Sequence, residues 1–157
     1  MKHLWSPWRM HYLSNFKKDG CVFCAALEQV DGLENLIVNR GTKAFVILNA
    51  YPYTSGHLMV LPYRHVPDLT DLDADTRAEM IELVATASQL LRRLYSPEGF
   101  NIGINMGEAA GAGIEEHIHI HIVPRWQGDT NFMTAVGQTR VLPEALEETY
   151  RRVKGAW

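Results

Sequence analysis

Apolar residues crowd into two short runs, Ala44 to Asn49 (AFVILN) and His57 to Pro62 (HLMVLP), separated by AYPYTSG. Both runs are β-branched and aliphatic and the linker is rich in turn formers, so they predict two adjacent antiparallel strands. The period then lengthens. From Asp71 to Tyr95 the apolar positions Met80, Leu83, Val84, Ala87, Leu90, Leu91 and Leu94 recur at helical spacing. Thr76 and Glu79 stand as a capping box and Pro97 ends the run, which predicts one long amphipathic helix. A third strand, GFNIGINM from Gly99, leads into GEAAGAG, and PEALEETYRRV from Pro143 predicts a second helix with proline in its first turn. Strands followed by an unshared helix predict an α+β plan, an antiparallel sheet with a long helix packed on one face. With no internal repeat or low-complexity linker, residues 1–157 are expected to form a single domain. It divides into an N-terminal segment (1–40), a core (41–126) and a C-terminal extension (127–157).

One stretch has a stricter pattern. In EEHIHIHIVPRW, Glu115 to Trp126, three of the seven histidines alternate with isoleucines. A strand sends successive side chains to opposite faces, so His117, His119 and His121 are predicted to line one face and Ile118, Ile120 and Ile122 the other. Val123-Pro124 is expected to close the strand, because proline cannot donate to a ladder. The row admits three readings: solvated or hydrogen-bonded histidines, ligands for a metal, or a nucleophilic imidazole that attacks phosphorus and carries a covalent nucleotidyl group. A hydrolytic metal usually recruits carboxylates, and the nearest acids, Glu115 and Glu116, precede the strand. The glycine-rich loop suits phosphate, since it brings backbone N–H groups close to oxygens without intervening side chains.

Composition narrows the partners. A net charge of −3 argues against a broad nucleic-acid surface, so any phosphate handled is expected to be small. The start, MKHLWSPWRMHYL, lacks the apolar centre of a signal peptide, and no apolar run approaches a membrane span. The expectation is a cytoplasmic, soluble protein with no membrane partner. Both cysteines fall in CVFC, Cys21 and Cys24, which reads as a redox dithiol, half of a zinc site, or two small buried hydrophobes. No predicted strand precedes Cys21, as a thioredoxin-like motif would require.

HIHIHIV resembles the signature of the histidine triad (HIT) family of nucleotide hydrolases and transferases. FVILNAYPYTSGHLMVLPYRHV, Phe45 to Val66, looks like that family's nucleotide-binding hairpin. LWSPWR and PRWQGDTNFM are similar to its diadenosine tetraphosphate phosphorylase- and hydrolase-like bacterial branch. The resemblance implies a HIT-like fold and cleavage at the α-phosphate of a nucleoside or dinucleoside polyphosphate. His119 is then the nucleophile, His121 faces the leaving oxygen and His57 lines the same pocket. Asn49 would bond the ribose, and Asn105 with the loop of Gly107, Gly111 and Gly113 would hold phosphate oxygens. A non-catalytic nucleotide-binding protein on the same scaffold is the alternative. The resemblance also implies a homodimer, with which the aromatic N-terminus (Trp5, Trp8, Tyr12) is compatible, and a structural zinc held by Cys21, Cys24, His65 and His117, with no metal at the reacting phosphorus. One departure stands out. Phosphorylase-like members tend to carry Gly-Ser where this chain has Ala112 and Gly113, so a hydroxyl suited to bonding phosphate is missing.

Overall fold

The computed structural model describes residues 20–130 and 142–157; Trp5, Trp8, Tyr12, the LWSPWR motif and the end of PRWQGDTNFM lie outside them. Five strands form one antiparallel sheet: β1 (Ile37–Arg40), β2 (Ala44–Leu48), β3 (Leu58–Pro62), β4 (Gly99–Ile104) and β5 (Ile120–Arg125), in the order β1-β2-β3-β5-β4. The α+β expectation holds. β2 and β3 pair in continuous register from Ala44 opposite Pro62 to Leu48 opposite Leu58, and every residue of both is buried, so neither shows the alternation of a half-exposed strand.

The long helix α2 spans Ala74–Tyr95, after the short helix α1 (Val22–Leu27) and ahead of α3 (Leu146–Ala156). It buries Met80, Val84, Ala87, Leu90 and Leu91 and packs on β2, β3 and β5. Its start differs from the capping box at Thr76. Asp73 is the N-cap and accepts from the Thr76 N–H and hydroxyl, both at 2.8 Å. Glu79 is drawn elsewhere, accepting from the Lys43 and Ala44 N–H groups at 2.9 and 3.3 Å and so tying α2 to the start of β2. α3 begins three residues beyond Pro143, because Glu144 accepts from the Tyr95 and Thr149 hydroxyls at 2.6 and 2.7 Å instead of entering the helix.

The strand β1 was absent from the sequence reading. Leu36 enters it with φ 60°, and a register shift falls between Ile37 and Asn39, so this short strand carries no clean period. The histidine row also departs from expectation. β5 begins only at Ile120, so of the three histidines it contains His121 alone. Ahead of it the Ile118 N–H donates to the Val66 carbonyl at 2.8 Å. Pro124 lies inside β5 opposite Phe100 rather than closing it. Its carbonyl accepts from the Thr54 hydroxyl at 2.8 Å, and N–H and C=O of one strand residue point the same way. The missing donor therefore faces the side where pairing with β3 has already stopped at Ile122.

Candidate active site and metal centre

The antiparallel pairing of β3 with β5 sets Met59 opposite His121 and brings the residue ahead of β3, His57, against it. His57 Nε2 lies 3.0 Å from His121 Nδ1. The Tyr53 N–H donates to His57 Nδ1 at 3.2 Å, and the Asn49 amide approaches the same nitrogen at 3.3 Å. A nitrogen that accepts from a main-chain N–H carries no proton, so His57 is protonated at Nε2 and donates to His121 Nδ1. His121 is left with its proton on Nε2. Burial, with His119 beside it, pushes the His121 imidazole down to about 4, which keeps it neutral.

His119 is settled by a different neighbour. Its Nδ1–H donates to the His117 carbonyl at 2.9 Å, leaving an unprotonated Nε2. The ring is 5 % exposed, and burial lowers its pKa from the ordinary histidine value. A neutral imidazole with one free lone pair, edge-on to His121 at 4.7 Å, is equipped to act as a nucleophile beside a hydrogen-bond donor.

Asn49 sits just past β2, where its side-chain Oδ1 accepts from the Tyr51 N–H at 2.9 Å. An amide has two lone pairs and two N–H groups, so these local bonds leave it capacity for a ribose. Asn105, just past β4, lines a cavity of about 900 Å³ together with His121. The glycine loop behaves differently from expectation. Gly107 and Gly111, at φ 79° and 85°, bracket a tight turn in which the Ala110 and Ala112 N–H groups donate to the Gly107 carbonyl and the Gly111 N–H to that of Glu108. Three main-chain donors that suited phosphate are thus engaged within the loop, and Gly113 follows outside the turn.

Cys21 caps α1 and Cys24 lies one turn into it. The ligand atoms of Cys21, Cys24, His65 and His117 all fall within 4.8 Å of one another. His117 Nδ1 is 3.4 Å from Cys21 Sγ and 3.7 Å from Cys24 Sγ, and His65 Nδ1 is 3.4 Å from Cys24 Sγ. Tetrahedral bonds of about 2.3 Å to sulfur and about 2.0 Å to nitrogen give S···N edges of about 3.5 Å, so the spacing fits zinc. The tautomer fits as well: His117 Nε2 is 2.9 Å from the Pro62 carbonyl, which takes its N–H and leaves Nδ1 for a metal. Burial and then the adjoining Cys21 hold the Cys24 thiol up at about 11.

The HIT domain family model matches residues 33–128, which include the hairpin and the histidine row. The chain belongs to the HIT domain family. Across its full length it is 39 % identical to a Mycobacterium tuberculosis protein named AP-4-A phosphorylase, covering 85 % of that protein. It is 37 % identical over 56 % of its length to the asymmetrical bis(5'-nucleosyl)-tetraphosphatase of Schizosaccharomyces pombe, covering 47 % of it. A zinc-bound histidine triad family protein from Mycobacterium smegmatis superposes with a TM-score of 0.69 at 33 % identity, over 87 % of this chain and 92 % of that one.

Two aromatic rings that the sequence does not single out pack against these histidines. Phe23, between the two cysteines, packs 5.6 Å from His117 and 5.4 Å from His119, so one ring bridges the Cys/His cluster and His119. Tyr53 lies against His57 and His121. Their signals, the F of CVFC and the second Y of AYPYTSG, are visible only once the strands have been paired.

Proposed function

We propose that this HIT protein is a nucleotidyl hydrolase or transferase that cleaves nucleoside or dinucleoside polyphosphates, diadenosine tetraphosphate among them, at the α-phosphate. The observation that carries this is His119, buried and neutral, with Nδ1–H held by the His117 carbonyl and Nε2 unprotonated. The names of the Mycobacterium tuberculosis and Schizosaccharomyces pombe relatives support the substrate class.

In the first step the His119 Nε2 lone pair forms a bond to the α-phosphorus as the P–O bond to the bridging oxygen breaks. The leaving oxygen departs with the electron pair, stabilised by a hydrogen bond from His121 Nε2–H. In the second step an acceptor attacks phosphorus and the N–P bond breaks, returning its electron pair to His119. When water is the acceptor, its protons pass to product and bulk solvent. Phosphoryl-type transfer is chiefly positioning and charge stabilisation; Asn49 bonds the ribose and Asn105 the phosphates. Zinc at Cys21, Cys24, His65 and His117 is structural, because four protein ligands leave no open position for substrate. The protein works as a homodimer, a reading supported by the outer edge of β4, where Ile102 is 50 % exposed. Among the described residues no helix is long and apolar enough to cross a membrane.

Quenching the protein in mid-turnover with substrate labelled at the α-phosphate should trap an acid-labile, hydroxylamine-insensitive adduct. His119→Ala and His119→Asn should bind nucleotide but form no adduct and turn nothing over. Turnover in either variant would sink the mechanism. Tight nucleotide binding by a wild-type protein that never becomes labelled would favour the non-catalytic alternative.

A further inference from the structure

Tyr53 serves the His57–His121 pair with both its backbone and its ring. The N–H fixes the tautomer of His57. The ring centroid lies 4.5 Å from that of His57 and 6.0 Å from that of His121, the latter with only 25° between planes. Among the described residues His57 is fully buried and His119 stands against His121. The pair is approached from the cavity, which His121 and Tyr53 both line, and there Tyr53 is partly exposed, 43 % accessible.

That position matters because the bond it covers decides which way His121 points its proton. Water reaching the pair would offer His121 Nδ1 another donor and His57 Nε2–H another acceptor. A buried hydrogen bond keeps its strength by exclusion of such competitors. With water admitted, His121 would divide between two tautomers, one of which presents a lone pair to the leaving oxygen and repels it.

We propose that Tyr53 is a positioning residue for departure of the leaving group: its ring shields the His57–His121 bond from cavity water and so holds His121 with Nε2–H toward the bridging oxygen. This rests on the nucleotidyl-transfer reading and adds to it a residue that acts through His121. The hydrogen bond stabilises negative charge on the leaving oxygen, so its loss should weigh on basic leaving groups and spare acidic ones.

The test is a set of aryl esters of one nucleoside 5'-monophosphate, from an acidic nitrophenol to unsubstituted phenol, given to wild type, Tyr53→Phe, Tyr53→Leu and Tyr53→Ala. Tyr53→Phe keeps the ring and Tyr53→Leu most of the shielding bulk, so both should stay within about threefold of wild type on every ester. Tyr53→Ala should slow the phenyl ester by about tenfold, the upper worth of one neutral hydrogen bond, and the nitrophenyl ester by less than about threefold. An equal loss on both esters, no loss on either, or a Tyr53→Leu variant as impaired as Tyr53→Ala would overturn the proposal. Imidazole ¹⁵N spectra supply a second readout that needs no turnover. Wild type should show His121 as a single Nε2–H tautomer, and Tyr53→Ala a mixture. Identical His121 spectra in the two proteins would overturn the proposal even if no ester is cleaved, whereas failure of cleavage with the expected spectra would fault the function alone.

Discussion

Replacing Ala112-Gly113 by Gly-Ser tests what discharges the nucleotidyl group proposed to form on His119. Gly113 is absent from the positive-φ positions, whereas Gly111 has φ 85°, so Gly113→Ser adds a side chain where the backbone accepts one and leaves the strained position alone. The pair of changes contributes one hydroxyl donor in the loop proposed to face phosphate. A hydrogen bond to a charged group is worth about 1.5–3 kcal/mol, roughly ten- to a hundredfold at about 1.4 kcal/mol per decade. Three of the loop's main-chain donors are already engaged, because the Ala110, Gly111 and Ala112 N–H groups bond the Gly107 and Glu108 carbonyls. The expected outcome is that in the unaltered protein phosphate does not dominate over water, and that Ala112→Gly with Gly113→Ser raises the share of phosphorolysis by about tenfold or more. The assay is the ratio of nucleoside diphosphate to monophosphate released from a diadenosine polyphosphate at millimolar phosphate. If the unaltered protein releases diphosphate almost exclusively, the loop argument fails, and the acceptor named for the Mycobacterium tuberculosis relative is reached without the serine.

Cys21→Ser should release zinc and lower Tm by about 5–10 °C, as expected for a loss of a few kcal/mol in a domain of this size; metal analysis of the native protein finding no zinc near one per chain would refute the site. Because Phe23 packs on His119, the same variant should also turn over more slowly, and rates unchanged per folded molecule would show that the ring is dispensable. His119→Gly should regain part of its activity from added imidazole, which fills the vacated space, and His119→Ala should regain less; no rescue of the glycine variant would count against an imidazole nucleophile. For stability against pH, the folded His121 titrates near 4 against an ordinary 6.5. The unfolded chain then binds more protons in that window, so stability is complete above about 6.5 and falls as pH drops toward 4, by on the order of 3 kcal/mol from this group. Denaturant titrations of wild type and His121→Asn across the window should give a shallower slope for the variant, and parallel slopes would refute the assignment.

The sequence carried those features in which side-chain pattern alone sets the outcome. The runs at Ala44 and Leu58, the helical spacing from Met80 to Leu91 and the alternation around His121 are each spelled by residue type. Features that depend on a main-chain atom were hidden. The Pro62 and His117 carbonyls decide two of the three histidine tautomers, and a carbonyl has no letter of its own. Glu79 looked like a capping partner because its spacing from Thr76 is right, yet the unpaired N–H groups of Lys43 and Ala44 bind it instead, a competitor visible only after β2 is docked on α2. Tyr53 and Phe23 read as ordinary aromatics until pairing set them against imidazoles.

Three chemically identical side chains spaced by two residues would be expected to do one job together, and here they stand in three different settings. Their separation arises where the row leaves the sheet. Because β5 starts at Ile120, the His117 carbonyl is released from any ladder and can take the His119 Nδ1–H, while the His117 ring turns to the metal cluster. One residue thus serves the Cys/His cluster and the proposed nucleophile through different atoms. In a regular strand the carbonyl of His117 would bond across to a neighbouring strand, and His119 would lose the acceptor that frees its Nε2. His121, inside the strand, has no such carbonyl to hand and takes its orientation from His57 instead. The irregular start of the strand is therefore a requirement of the proposed chemistry, and restoring ideal pairing through His119 would remove the acceptor that frees its Nε2 without changing a single histidine.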